Sequence, residues 1–269
     1  FDNAANIVAK GRLGPGQMVC ADMINGTFKE NTQIAKDVAG AEPYADWVSS
    51  TSRTLESLNA TSVLDDCQMD SAGCIKLQSA VGYGLEDQQM IIEAMAMTGA
   101  EPTYCMGDDV PLPVLASTPH MLYDYFKQRF AQVTNPPIDP LREGLVMSLG
   151  MRLGGRGNLL EAGPAAYNQI QLASPVLLES ELAAIASDSA LKTQTLSTVY
   201  KAAGKGSMKA ALDKLCADAE AAAKSGCGCI VLSDRAINSL SSADMPPIPP
   251  LLAVGAVHHH LIRAGVRTD

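Results

Sequence analysis

The sequence predicts an α/β fold, and two observations carry this prediction. Hydrophobic residues make up 47% of the 269 residues and aromatic residues only 4%, which favours helix-rich or α/β architecture over an aromatic-packed β-sandwich. An amphipathic stretch at 207–225 is followed by Gly226 and by a short apolar run at 229–233. A helix, a glycine and a short buried strand in this order are typical of the αβ half of a βαβ unit.

The first fifty residues predict a small β piece with a short helix. Residues 17–23 form a predicted strand, and Asn25 and Gly26 close a tight hairpin because both accept positive φ. Asn31 is the predicted N-cap of a helix that runs to about Val38. One hairpin and one helix bury too little apolar surface to fold alone, so this piece is expected to lean on a larger unit.

The remaining residues are predicted to alternate helices with short strands and loops. Residues 49–76 are rich in Ser, Thr and Asp without apolar periodicity, and they are interpreted as a linker. Six glycines between residues 144 and 163 indicate loops around a short apolar run. Apolar residues at helical spacing predict helices at 86–98, 122–133, 179–186, 207–225 and 251–264.

Charge and cysteine content disfavour several classes of protein. The formal net charge is −9, which argues against a nucleic-acid partner bound through a basic face. No stretch of 18 or more apolar residues occurs, so no membrane span is predicted. Seven cysteines without regular spacing indicate free thiols in a reducing, intracellular compartment. Since the chain begins with Phe1 and shows no signal-peptide pattern, its start is interpreted as a processed end or a cut within a longer chain.

Two motifs invite a ligand-site interpretation, and for each of them a structural role is favoured. The glycine cluster at 11–16 fits no phosphate-loop pattern and precedes a predicted strand, so it is interpreted as a turn. His258, His259 and His260 would point about 100° apart on a helix and cannot converge on one metal ion. His258 is expected to be half-buried on the helix face of Leu251, Val254 and Leu261. The cysteines form no quartet with metal-ligand spacing, so no zinc or iron–sulfur centre is predicted.

The loop at 105–109 is the candidate for cation binding or acid–base chemistry, because it ends in Asp108 and Asp109. The alternative is that these carboxylates cap a turn or pair with arginines such as Arg142 or Arg156. The alternative is favoured, because two neighbouring carboxylates without a third ligand form a poor metal site. Apart from any family resemblance, the residues and motifs of the chain do not indicate a particular reaction.

Several strings closely resemble the glutamate synthase family. The longer ones are GRLGPGQM at 11–18, EPTYCMGDD at 101–109, LYDYFKQRFAQVTNP at 122–136 and LAVGAVHHHLIR at 252–263. Shorter strings occur in the family's order, namely VGYG at 81–84, IDPLRE at 138–143 and RGNLLE at 156–161. REGLVMSL at 142–149 and SPVL at 174–177 are most similar to the ferredoxin-dependent type of plastids and cyanobacteria. The resemblance covers nearly the whole chain except the linker and residues 187–206.

The resemblance implies a domain organisation. In the family, a glutaminase domain is followed by a central domain, an FMN-binding (β/α) barrel and a β-helix. Residues 1–48 resemble the C-terminal tail of the glutaminase domain, and residues 77–269 resemble the central domain, a reduced relative of the FMN barrel. The implied fold class is therefore α/β, with a reduced (β/α)-barrel-like central domain after a small N-terminal hairpin and helix segment.

The resemblance also implies a role. The family enzyme hydrolyses glutamine at an N-terminal cysteine and passes the ammonia through an internal tunnel to 2-oxoglutarate. There reduced FMN, fed by an iron–sulfur cluster and ferredoxin, completes the second glutamate. No residue of these half-reactions can be assigned in this chain, so no catalytic, cofactor-binding or metal residue is expected, and FMN and the cluster would belong to other domains. The implied function is a non-catalytic scaffold that couples the two sites and helps wall the tunnel, which keeps ammonia from protonation in bulk water.

The interdomain or tunnel contacts are expected in the 103–109 loop and at the adjacent pair 142–143. The candidate residues are Thr103, Met106, Gly107, Asp108, Asp109, Arg142 and Glu143. Expected partners are the glutaminase and FMN domains of the parent enzyme, in the plastid stroma or a cyanobacterial-type cytoplasm. One alternative is a stand-alone, catalytically inactive structural or docking subunit of a larger plastid, photosynthetic or ferredoxin-linked assembly. The least favoured alternative is an autonomous small-molecule enzyme, because fold alone does not confer function.

Overall fold

The computed structural model describes residues 4–58, 71–99, 102, 115, 117, 138–158, 160–161, 163–239 and 244–268. These ranges contain both helices and short strands, which confirms the predicted α/β class. The strands are β1 (Cys20–Asp22), β2 (Thr27–Lys29), β3 (Arg53–Thr54), β4 (Met151–Leu153), β5 (Ile170–Leu172), β6 (Thr193–Ser197) and β7 (Cys229–Ser233). The helices are α1 (Asn31–Ala39), α2 (Tyr44–Thr51), α3 (Ser71–Ala80), α4 (Glu93–Thr98), α5 (Pro140–Val146), α6 (Glu179–Ser187), α7 (Ser207–Lys224) and α8 (Pro250–Arg263).

The predicted N-terminal hairpin is present. Strands β1 and β2 are antiparallel, with Asp22 opposite Thr27, so the connecting loop is longer than the predicted two-residue turn. The Asp22 carboxylate stabilises this loop by accepting hydrogen bonds from the backbone N–H groups of Ile24 and Asn25, at 2.9 and 3.1 Å. Gly26 has a φ of +64°, as expected, but the prediction of a positive φ at Asn25 is wrong, because Lys192 is the only non-glycine residue with a positive φ among the described residues.

The helix predicted after the hairpin is α1, but the prediction that Asn31 is its N-cap is wrong. The N-cap is Glu30, and Asn31 is the first residue of the helix. The Oδ1 atom of Asn31 accepts a hydrogen bond of 3.3 Å from the backbone N–H of Met18, so its side chain ties the helix to the segment before β1. No residue of β1, β2 or α1 is fully buried, in keeping with a piece that has little core of its own.

Strand β3 lies inside the range 49–76 that the sequence indicated as a linker. It pairs in parallel with β5, and β5 pairs antiparallel with β4, giving the sheet order β3-β5-β4. The backbone N–H groups of Arg53 and Leu55 donate to the carbonyl oxygens of Gln169 and Gln171, at 3.0 and 3.3 Å. This part of the range is therefore built into a sheet, while the domain division itself stays a prediction.

The predicted helix, glycine and strand are present as α7, Gly226 and β7, and a preceding strand that was not predicted, β6, completes a βαβ unit. Strands β6 and β7 pair in parallel, with Thr193 opposite Cys229, and α7 connects them. Gly226, with a φ of +82°, directly follows the C-cap of α7 at Ser225. Helices α7 and α8 share one hydrophobic core, whose buried members are Leu215, Cys216, Ala219, Ile248, Ala253, Val257 and Leu261.

A second hydrophobic core lies beneath β5 and α6. Its buried residues are Ile170, Leu172, Ile185 and Leu191. Leu55 and Leu58, which follow β3, pack against this cluster. The N-terminal part of the chain thus contributes side chains to the core of the later part.

The remaining predictions have mixed outcomes. The helix predicted at 86–98 is present, but residues Asp87–Ile92 form a π-helix before α4. The helices predicted at 179–186 and 251–264 are α6 and α8, whereas the helix predicted at 122–133 lies outside the described residues.

The described strands form one three-stranded and two two-stranded sheets, none of which closes into a barrel. In the part of the chain that the structure describes, no helix is both long enough and apolar enough to traverse a bilayer.

Candidate functional site

The structure describes few of the candidate contact residues. Thr103, Met106, Gly107, Asp108 and Asp109 lie outside the described residues. Glu143 lies in α5, and its side chain is outside the description. Arg142 is in the first turn of α5, where its side chain is 72% exposed and its Nε donates to the carboxylate of Asp139. The role of these residues as interdomain or tunnel contacts therefore stays a prediction.

The described structure brings distant parts of the chain together at another place, which we call the junction. On one side are α2, β3 and residues 55–58, and on the other are residues 164–172 and 188–191. The ring of Trp47 in α2 lies 6.1 Å, centroid to centroid, from the ring of Tyr167. One residue after α2, the hydroxyl oxygen of Ser52 accepts a hydrogen bond of 3.0 Å from Gln171 Nε2.

Arg53 is the polar centre of the junction. Its Nη1 donates to the carboxylate of Asp188, and its Nη2 donates to Oδ1 of Asn168 at 3.0 Å. The side chains of Arg53 and Asp188 are only 25% and 7% exposed. Charges that are removed from water in this way remain charged at reasonable cost only when they are paired and hydrogen-bonded, and both conditions are met here.

The acceptors around Arg53 are themselves held in place. Asp188 Oδ1 also accepts a hydrogen bond of 2.8 Å from the backbone N–H of Leu191. Asn168 Nδ2 donates to the carbonyl oxygen of Ala190 at 3.3 Å. The guanidinium of Arg53 thus joins three segments of chain, namely β3, the residue pair before β5 and the loop before β6.

Beside the junction lies a cleft of about 930 Å³. Val48 of α2, Tyr167 and Gln169 contribute to its wall, together with Arg152 and Arg156. Its wall therefore combines the N-terminal part of the chain with β4 and β5. The cleft presents two cationic side chains, those of Arg152 and Arg156.

Two of the three consecutive histidines, His258 and His260, have hydrogen-bonding partners on other parts of the chain. Arg267 Nε donates to Nδ1 of His258 at 2.9 Å, and His260 Nε2 lies 2.6 Å from a carboxylate oxygen of Glu220. His258 is half-buried, as predicted, but of the three apolar residues on its predicted face only Leu261 is buried. Leu251 and Val254 are more than half exposed, because α8 turns a neighbouring face towards the core, that of Ala253, Val257 and Leu261.

The cysteines within the described ranges are free thiols: Cys20, Cys74, Cys216, Cys227 and Cys229. Cys227 donates to the carbonyl oxygen of Lys192 at 2.6 Å, which links the start of β7 to the loop before β6. Burial raises the pKa of the Cys229 thiol. No group of three or more His, Cys, Asp or Glu side chains in the described ranges is arranged to hold a metal ion.

Sequence reasoning missed Arg53, Asn168 and Asp188 as a cluster. Arg53 and Asp188 are 135 residues apart, and no local pattern links two such positions. The available signal was the return of apolar residues at Leu55 and Leu58 within an otherwise polar stretch, which marks a segment that packs against a core.

Comparison with known proteins agrees with the resemblance of the sequence strings. The family model of the glutamate synthase central domain matches residues 76–269, and that of class-II glutamine amidotransferases matches residues 2–47. Arg53 lies in the interval between these two matches.

Three curated relatives are similar over nearly the whole chain. The chloroplastic ferredoxin-dependent glutamate synthase of Oryza sativa subsp. japonica is 50% identical over 98% of the chain, and the chloroplastic ferredoxin-dependent glutamate synthase 2 of Arabidopsis thaliana is 51% identical over 98%. The ferredoxin-dependent glutamate synthase 2 of Synechocystis is 48% identical over 97%. The chain spans 16% of the length of each of the two plant proteins and 17% of the cyanobacterial one. The chain therefore belongs to the glutamate synthase family, whose central domain it contains.

Proposed function

We propose that this chain is the central part of a ferredoxin-type glutamate synthase, where it couples the glutaminase site to the FMN synthase site and helps form the ammonia passage. The observation that carries this proposal is the identity of about half of all residues, over nearly the whole chain, with enzymes named as ferredoxin-dependent glutamate synthases. In this proposal the chain itself is not catalytic. FMN and the iron–sulfur cluster belong to other domains of the parent enzyme.

The junction gives this proposal a physical basis. The segment that matches class-II amidotransferases ends at Trp47, whose ring contacts Tyr167 in the region that matches the central domain. The interval that follows it is joined to the same region by the pairing of β3 with β5 and by the largely buried ion pair of Arg53 and Asp188. Several directional contacts over a short span hold two parts at a fixed distance and angle. Such fixity suits a closed passage, since ammonia that escapes into water near neutral pH is protonated and is no longer a nucleophile.

The finer features of the proposal follow from the family. The parallel β6-α7-β7 unit followed by α8 supports a reduced (β/α)-barrel-like central domain. We propose interdomain or tunnel contacts in segment 103–109 and at Arg142 and Glu143. The names of the plant relatives and the cyanobacterial origin of the third support a plastid or cyanobacterial location.

The first experiment is the intact mass of the native polypeptide that carries this sequence. A species several times heavier than 28.2 kDa is expected. A native species near that mass would contradict the proposal and would favour the stand-alone docking subunit. The three relatives named above are about six times longer than this chain, so they give that alternative no support.

The second experiment tests the ammonia passage directly in the enzyme that carries this chain. Glutamine labelled with ¹⁵N in its amide group is supplied together with an excess of unlabelled ammonium, and the glutamate formed from 2-oxoglutarate is analysed by mass spectrometry. A closed passage predicts that this glutamate carries the label despite the excess. Dilution of the label to the proportion in solution would contradict a channelling role.

A further inference from the structure

The contacts of Arg53 differ in kind from the apolar contacts beside them. Leu55 and Leu58 pack against the second hydrophobic core, and such packing is non-directional. The guanidinium of Arg53 is planar and carries its donors in a rigid fork, one arm on Asp188 and the other on Asn168. Two acceptors on different segments therefore fix the angle of the arginine as well as its distance.

The position of Arg53 in the chain links its contacts to the orientation of α2. Arg53 follows the end of α2 after a single intervening residue, Ser52. Because only Ser52 separates α2 from Arg53, the contacts of the Arg53 guanidinium restrict the orientation of α2. On the other side, Asp188 directly follows α6 and accepts the backbone N–H of Leu191, a buried residue of the second core.

We propose that Arg53 is a positioning residue, which docks α2 and the amidotransferase-like segment before it in one orientation against the β3-β5-β4 sheet through its shared contacts with Asp188 and Asn168. The docking itself is a property of this chain. Its consequence for ammonia transfer rests on the function proposed above, because a fixed orientation matters only if two active sites are coupled across the junction.

Trp47 provides the readout for docking. It is the single tryptophan of the sequence, and its ring lies against Tyr167 on the far side of the junction. In the full 269-residue chain, the Arg53→Met variant is expected to shift Trp47 emission to longer wavelength and to increase its quenching by acrylamide. The helical circular dichroism, to which α7 and α8 contribute most among the described helices, is expected to remain.

Three further variants separate positioning from general stability. Arg53→Lys keeps a cation near Asp188 but cannot span both acceptors, so it is expected to restore part of the native emission. Asp188→Asn is expected to behave like Arg53→Met. Lys209→Met removes the cation of an exposed ion pair with Asp213 on α7 and is expected to leave Trp47 unchanged. Unchanged Trp47 emission in Arg53→Met, or loss of the helical signal together with the shift, would overturn the proposal.

The same Arg53→Met variant in the full-length enzyme tests the consequence. Undocking is expected to raise the ratio of glutamine hydrolysed to 2-oxoglutarate consumed. It is also expected to lower the ratio of ¹⁵N-labelled to total glutamate formed from 2-oxoglutarate. If Trp47 shows undocking in the chain while both ratios stay at their native values, the positioning role of Arg53 stands and the coupling function is contradicted. If Trp47 stays docked, the positioning role fails whatever the ratios are.

Discussion

Gly154 and Asn168 meet through their backbones. A Cβ atom on Gly154 would lie 2.7 Å from the carbonyl oxygen of Asn168, closer than such atoms approach in proteins. Gly154 also has a φ of +134°, which residues with a side chain rarely adopt. Two independent constraints therefore require glycine directly after β4. The junction depends on this approach, because Asn168 is one of the two acceptors for Arg53.

We expect Gly154→Ala to lower the free energy of unfolding by about 2 kcal/mol or more, from the strained φ and the steric clash together. Denaturant unfolding of the full chain measures this loss. Gly163→Ala is the matched control, because Gly163 has extended backbone and open space where its Cβ would be placed. Equal stability of the two variants would show that the close approach to Asn168 is not maintained.

The contact between α7 and α8 is expected to tolerate no added volume. Ala219 and Ala253 are both 0% exposed in the core that these helices share. Ala219→Leu is expected to destabilise the chain by about 1–3 kcal/mol, because interiors are close-packed and extra methylene groups force neighbours to move. Ala221→Leu, at an exposed position of the same helix, is the control and is expected to change the unfolding midpoint little. A comparable loss in both variants would contradict the assigned buried face.

The carboxylate of Glu220 is expected to make stability depend on acid pH. Lys224 first, and then His260, hold the pKa of Glu220 below its ordinary value of 4.5. The pKa of Glu220 is therefore lower in the folded chain than in the unfolded chain. The stabilisation that its carboxylate provides is fully present above the unfolded-state pKa and is lost as the pH falls through the folded-state pKa. Glu220→Gln is therefore expected to lose less stability than the native chain as the pH is lowered through and below 4.5. Denaturant unfolding across this range, with Glu86→Gln as an exposed control, measures the difference; identical acid profiles would contradict it.

The native thiols are expected to differ in reactivity. Burial raises the pKa of Cys216 and of Cys229, which lowers the fraction of reactive thiolate, whereas Cys20 is exposed. A short pulse of iodoacetamide followed by peptide mass mapping should label Cys20 well before the other two. In urea the three rates should converge. Early labelling of Cys216 in the native chain would show that the α7–α8 core opens readily.

A helix was predictable from the sequence where apolar residues recur at helical spacing and a residue that ends helices, such as glycine, directly follows them. Leu215, Ala219 and Ala222 recur at helical spacing and Gly226 follows, so α7 was predicted at 207–225 and is found at Ser207–Lys224. The hairpin was also predicted, but its loop length was not. The Asp22 side chain satisfies two backbone N–H groups there, and no two-residue turn rule contains that interaction.

The junction was not predictable by the same reasoning. Strand β3 has two residues, which is too short for an alternating pattern to be recognised. Its pairing partner and the acceptors of Arg53 lie more than 100 residues away, and propensity rules carry no information over such a separation. The family resemblance assigned no role to the interval between the two matched regions, where Arg53 lies.

The parallel pairing of β3 with β5 also sets an order of events during protein synthesis. Arg53 leaves the ribosome more than 100 residues ahead of its pairing partner Ile170, an interval of roughly 10 s at ordinary elongation rates. The β6-α7-β7 unit needs a far shorter wait, because its paired residues Thr193 and Cys229 are close in sequence. The nascent N-terminal segment therefore stays undocked until translation has passed Asp188. During this interval β3 is unpaired and can be bound by a chaperone that shields exposed strands.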